Sequence, residues 1–134
     1  MTIATVNPAT GQMIRTFSPL SEPELDARLQ CAADAFRRYR RTAIGERTRM
    51  LQRAAEILIA DKDKFARIMV MEMGKTLKAA VEEVEKCAWG CRYYAEQAER
   101  FLSDEVVETN ASRSFVTYQP IGPVLAIMPW NFPF

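Results

Sequence analysis

Apolar positions recur every three or four residues through most of the stretch from 21 to 102, and give way at both ends to short β-prone runs. Ser21 followed by Glu24 is a capping-box pattern, and Pro23 is tolerated in a first turn, so a helix is predicted to begin there. Leu25, Leu29, Ala32, Phe36 and Tyr39 then form one apolar stripe. A second helix is predicted from about Gly45 to Ala60, with Met50 or Leu51, Ala54, Ala55, Leu58 and Ile59 inward. Asp61-Lys-Asp-Lys64 interrupts the pattern before a third, short helix carrying Phe65, Ile68, Met69 and Met73. Gly74 is placed to close it in a left-handed conformation. A fourth helix is predicted from about Leu77 to Leu102 through Leu77, Val81, Val84, Ala88, Cys91, Ala95, Ala98 and Leu102. Its length of roughly 35 Å suits packing across a larger body.

At the N-terminus, Ile3–Val6 and Met13–Phe17 flank Asn7-Pro-Ala-Thr-Gly11, whose Asn-Pro start and closing glycine are turn chemistry, so a β-hairpin is predicted. Val106-Val107 and Ser114–Tyr118 flank the polar Asn110-Ala-Ser and predict a second hairpin. After Gln119-Pro-Ile-Gly-Pro123, the run Val124–Met128 has no polar residue on either face, as a strand buried on both sides of a parallel sheet requires. Asn131 falls just past its carboxyl end, where open α/β sheets bind ligands. No internal repeat or low-complexity segment interrupts this order.

Composition narrows the function. The 134 residues are 49% hydrophobic and 26% charged, as in an ordinary globular protein, and 18 Lys and Arg against 17 Asp and Glu leave a net charge of +1. That balance disfavours nucleic acid and anionic membrane as partners. The one basic block, Arg37-Arg38-Tyr39-Arg40-Arg41, falls where a helix should end and suits the helix dipole. No apolar run approaches the roughly 20 residues of a membrane span, and no secretory signal pattern opens the chain. A cytoplasmic location is the expectation, and Cys31, Cys87 and Cys91, odd in number and in helical patterns, fit a reducing compartment. The chain has no histidine, which removes histidine-based bases, triads and metal ligands.

Little chemistry then remains. The neutral amide of Asn131, at a strand end, suits stabilising a developing oxyanion. A turn or helix-capping role stays open for Asn131 on pattern alone, as does a core role for Trp130 and Phe132. Cys87 and Cys91 share a helix face, but without histidine or a nearby third cysteine they make an incomplete metal set, and buried small hydrophobes are the expectation. No metal site is expected. Glu82, Glu83 and Glu85 with Lys78 and Lys86 read as a solvated, salt-bridged helix face. Gly74-Lys75-Thr76 lacks the upstream glycine of a phosphate loop and follows a helix, so that reading is rejected.

Several of these residues together resemble the N-terminal part of an aldehyde dehydrogenase. They are Asn7-Pro-Ala-Thr-Gly11, Arg47 with Leu51, Glu72-Met-Gly-Lys75, Arg92-Tyr-Tyr-Ala95, and Pro120-Ile-Gly-Pro-Val124 leading to Pro129-Trp-Asn-Phe-Pro133. They run in family order over essentially the whole chain. Glu72-Met-Gly-Lys-Thr-Leu77 and Lys86-Cys87 are most similar to the bacterial succinate-semialdehyde dehydrogenase branch. The resemblance implies an α/β fold of which this is the N-terminal part. Residues 1–105 would hold the first hairpin and the helices packing on the cofactor-binding domain. Residues 106–120 would be oligomerisation-sheet strands, and 121–134 the first strand of the Rossmann-like dinucleotide-binding domain with the start of the active site.

It also implies oxidation of an aldehyde, with succinate semialdehyde one candidate, to its acid with NAD or NADP in an intact homo-oligomer, a dimer or tetramer. A cysteine thiolate attacks the carbonyl, hydride passes to the nicotinamide, and a glutamate-activated water releases the acid. Asn131 would be the catalytic oxyanion donor; Met128, Pro129, Trp130 and Asn131 would lie beside the cofactor, and Phe132 would line the substrate tunnel. The catalytic cysteine and glutamate of the family lie past the position of Phe134, and Cys31, Cys87 and Cys91 match neither. The 134 residues alone are therefore expected to be inactive. A rival expectation is a non-catalytic helical module that binds intact dehydrogenase subunits.

Overall fold

The structure, a computed structural model, describes residues 3–128 and 130–134. Its order is β1 (Ile3–Val6), β2 (Met13–Phe17), α1 (Glu22–Tyr39), α2 (Ile44–Ala60), α3 (Lys62–Met73), α4 (Leu77–Leu102), β3 (Glu105–Val106) and β4 (Phe115–Val116). Strands β1 and β2 pair antiparallel with Ile3 opposite Phe17 and Thr5 opposite Arg15; the register then slips so that Val6 faces Met13. The turn between them is held by side chain and backbone together: Asn7 Oδ1 accepts from the Ala9 N–H at 2.9 Å, and the Gly11 N–H donates to the Asn7 carbonyl at 2.8 Å. Gly11 has a φ of 70°, which favours a residue without a Cβ.

Helix α1 starts as its capping pattern predicts, with the Glu24 carboxylate accepting from both the N–H and the hydroxyl of Ser21. Its apolar stripe, however, is not covered here. Leu25 is 49% and Leu29 60% exposed, and no residue of α1 is buried. Periodicity reports a face that needs a partner, and the described residues do not supply one. Its C-terminal end is tied to α2 by Arg47, whose Nη2 donates to the Tyr39 carbonyl at 2.9 Å while its guanidinium lies 4.9 Å from the Tyr39 ring centre.

The core lies where α4 packs against α2 and α3. Ala66, Met69, Ala80 and Val84 form its buried centre, flanked by Leu58, Phe65, Val70 and Val81. Alanines dominate because the helix backbones approach closely, and Val84 is the one large side chain that is fully buried among the described residues. Leu51, not Met50, faces inward on α2, and on α3 Ala66 takes the inward place expected of Ile68, which is 47% exposed. Lys62 of α3 reaches Glu85 of α4 at 2.5 Å.

The second hairpin is shorter than expected, two residues a strand, with Glu105 opposite Val116 and Val106 opposite Phe115. Tyr118 donates to Glu105 across it at 2.6 Å, which holds the phenol above its ordinary pKa. The expected strand over 124–128 does not form a ladder. Those residues are irregular, and Val124, Leu125 and Ile127 are 80%, 86% and 85% exposed. A strand exists only through hydrogen bonds to a neighbour, and no described residue pairs with this run.

Candidate functional site

The candidate chemistry lies in the turn that follows this apolar run. Trp130 and Asn131 form the turn and Phe132 a bend, ahead of Pro133 and Phe134. Pro129, one of the expected cofactor neighbours, falls outside the described residues. Met128, Trp130, Asn131 and Phe132 are all exposed, Trp130 to 87%. So the Asn131 amide faces solvent at the surface of the helical body.

What holds the turn there is a pair of charges from the α3–α4 junction. Gly74 closes α3 with φ 77° and its N–H bonded to the Val70 carbonyl at 3.1 Å. Thr76 then caps α4, its Oγ1 accepting from the Ala79 N–H at 3.3 Å. Lys75 is fixed between these two helix ends. Its ammonium pairs with the Glu83 carboxylate, donates to the Asn131 carbonyl at 3.3 Å, and lies 4.3 Å from the Phe132 ring centre. The other Glu83 oxygen accepts from the Phe134 N–H at 3.1 Å. Phe134 meanwhile packs on Phe65 of α3, ring centres 5.3 Å apart.

Glu83 is 6% exposed. Reading it as part of a solvated helix face is therefore wrong; that description holds for Lys78 and Glu82, whose side chains are 87% and 62% exposed and 3.8 Å apart. A buried carboxylate is strongly penalised unless paired and hydrogen-bonded, and Glu83 is both. The signal was in the spacing, since Glu83 lies three residues after the buried Ala80, beside the Ala80–Val84–Ala88 face. Lys75 and Glu83 are residues to which sequence pattern assigned no role beside Asn131. With Lys75 committed to Glu83 and the turn, Gly74-Lys75-Thr76 offers no free phosphate-binding lysine in this arrangement.

Among the described residues, clefts border the turn on two sides. One, of about 540 Å³, lies between Thr5, Met69, Glu72, Met73 and Trp130. The other, of about 310 Å³, places Phe132 beside Glu83, Cys87, Trp89 and Phe134. Burial pushes the Cys87 thiol above its ordinary pKa, electrostatic interaction with Glu83 and then Cys91 adds to that, and Lys86 opposes it. The thiolate is the nucleophile, so Cys87 is poorly suited to attack a carbonyl although it borders the cleft. Among the described residues no three His, Cys, Asp or Glu cluster to hold a metal, and no helix is long and apolar enough to cross a membrane.

The family model described as "Aldehyde dehydrogenase family" matches residues 1–134. The chain belongs to the aldehyde dehydrogenase family. It is 50% identical over 134 residues to a probable succinate-semialdehyde dehydrogenase (NADP+) of Synechocystis sp., covering 100% of this chain and 30% of that protein. It is 47% identical over 137 residues to the succinate-semialdehyde dehydrogenase (NADP+) of Mycobacterium avium, covering 99% of this chain and 29% of that one. Among solved structures, the succinic semialdehyde dehydrogenase of Streptococcus pyogenes in complex with NADP+ superposes with a TM-score of 0.93 at 35% identity. That match covers 98% of this chain and 29% of the other. Gox0499 superposes with a TM-score of 0.96 at 29% identity, covering 99% of this chain and 29% of that one. The chain thus spans about 30% of the curated relatives it matches, and its α/β fold class is that of the N-terminal part of the aldehyde dehydrogenase fold.

Proposed function

We propose that these 134 residues are the N-terminal portion of an NADP-linked dehydrogenase that oxidises succinate semialdehyde to succinate. The observation that carries this is identity of 47–50%, along the whole chain, to proteins named for that activity and cofactor. Among Asn131, Trp130 and Met128, the exposed groups suit a role at one edge of a dinucleotide site, with the rest of that site contributed by residues outside this chain. A bound nicotinamide dinucleotide supplies the hydride acceptor. The part of this chain is to bind and orient: the Asn131 amide donates a hydrogen bond to the substrate oxygen as negative charge develops on it, and Phe132 lines the approach of the aldehyde. The attacking cysteine is none of Cys31, Cys87 and Cys91, so the thiohemiacetal and thioester form on a residue outside these 134, and the chain alone is inactive. We also place the intact enzyme in the cytoplasm as a homo-oligomer, with the β3–β4 hairpin contributing to its subunit contacts.

In the intact dehydrogenase, Asn131→Ala lowers turnover by about 100- to 1000-fold, the usual cost of one oxyanion donor, with a much smaller effect on NADP affinity. Steady-state kinetics with succinate semialdehyde, and NADP titration by nicotinamide fluorescence, check this. Turnover within threefold or so of the parent would remove Asn131 from the mechanism.

A further inference from the structure

We propose that Lys75 and the buried Glu83 form a clamp that fixes the backbone of the 130–134 turn and thereby aims the Asn131 amide. They are positioning residues, and the inference rests on Asn131 being the oxyanion donor. Each is bonded both to the other and to the turn. One Glu83 oxygen takes the Lys75 ammonium and the other takes the Phe134 N–H. The Lys75 ammonium has three donors; one goes to Glu83, one to the Asn131 carbonyl, and its charge lies over the Phe132 ring. The turn is thus gripped at both ends, at Asn131 and Phe134, by residues 56 and 51 positions away in sequence.

Stability does not account for placing these charges here. A buried ion pair is often no more stabilising than apolar side chains of the same volume, and Glu83 occupies a seam position next to Val84 where an apolar residue would pack. The pair does what an apolar contact cannot: it holds two particular backbone groups in direction as well as distance. An oxyanion donor needs that, because productive geometry tolerates only about half an ångström and 10–20°. Lys75 is itself anchored between the Gly74 C-cap and the Thr76 N-cap, so the precision of two helix ends is passed to the turn.

The test uses the intact dehydrogenase. Lys75→Met keeps the length of the side chain and removes its charge and donors. It is expected to lower kcat by up to about 100-fold, as small misplacements of catalytic groups do, with KM for NADP little changed. Lys75→Arg should restore part of the loss, and Lys78→Met, which breaks the exposed pair with Glu82, should leave kcat unaltered. In an Asn131→Ala background Lys75→Met should cost little more, because residues acting as one unit are not additive. Hydrogen exchange should quicken over 130–134 in Lys75→Met while α2 and α4 stay protected.

If Asn131→Ala abolishes turnover but Lys75→Met and Glu83→Gln do not lower it, the clamp is overturned and the role of Asn131 stands. Full additivity of the two losses also overturns it, as a general structural effect. If Asn131→Ala is itself harmless, the oxyanion reading fails and takes the clamp with it. Should Lys75→Met not fold, Glu83→Gln, which keeps shape and an acceptor oxygen, is paired with Asn131→Ala and judged by the same non-additivity.

Discussion

The Glu24 carboxylate is held below its ordinary pKa, chiefly by the Ser21 hydroxyl and then by the Ser21 N–H. A carboxylate whose folded pKa lies below its unfolded one contributes stability above the unfolded value and loses it as pH falls through the folded value. The start of α1 should therefore loosen in acid, at pH below the usual Glu range, and Ser21→Ala should remove most of that pH dependence. Amide exchange of residues 22–26 against pH checks both; an acid response unchanged in Ser21→Ala would refute the capping account. This capping box is legible from two residue types three apart, because all its partners are local. Glu83 is the opposite case. Its residue type and its acidic neighbours argue for solvent, and only its place beside the 80–84–88 seam argues for the interior. What resolves the conflict is Lys75, eight residues back, together with a backbone N–H 51 residues on. Neither partner is visible to a local pattern.

Helix boundaries were readable for the same reason that the caps were. Gly74 ends α3 with φ 77°, as its position after the last apolar residue predicts, and α4 begins three residues later at Leu77. The structure adds a second demand on Gly74 that sequence could not show. A Cβ there would lie 2.7 Å from Pro8 Cγ, so the β1–β2 turn rests directly on the end of α3. Gly74→Ala should cost roughly 1–2 kcal/mol from the left-handed backbone alone, and more where the proline ring must shift. A chemical-denaturation midpoint lowered beyond that of Gly90→Ala would bear this out. Gly90 is a fair control, since it lies within α4, has no positive φ, and a Cβ there meets nothing within 4 Å. Equal effects of the two substitutions would mean that neither the backbone nor Pro8 constrains Gly74. Because Lys75 follows directly, Gly74→Ala should also disturb the clamp, and hydrogen exchange over 130–134 should register it.

At the scale of the whole molecule, hydrophobic pattern and burial disagree over two long stretches. The stripe on α1 and the apolar run from 121 to 128 have the spacing of buried elements, yet Leu29 is 60%, Ile121 96% and Leu125 86% exposed. Amphipathic spacing records the surface an element is built to contact, not whether that surface lies in the same 134 residues. The chain spans about 30% of the relatives' length, and we propose that these faces meet surfaces contributed by the rest of the intact enzyme. An unpaired apolar run with free backbone groups on both edges is a template for association. The isolated 134-residue chain should therefore bind the dye 8-anilinonaphthalene-1-sulfonate strongly and self-associate at micromolar concentration. Changing Leu125 and Ile127 together to Lys should reduce both without altering the far-ultraviolet helix signal, because neither side chain contributes to the α2–α3–α4 core. In the intact enzyme the same pair of substitutions should instead prevent folding, since there the run is expected to lie inside a sheet. Light scattering on the short chain and soluble yield of the long one measure the two arms; a doubly substituted enzyme that folds and turns over normally would show that residues 124–128 are not an interior strand.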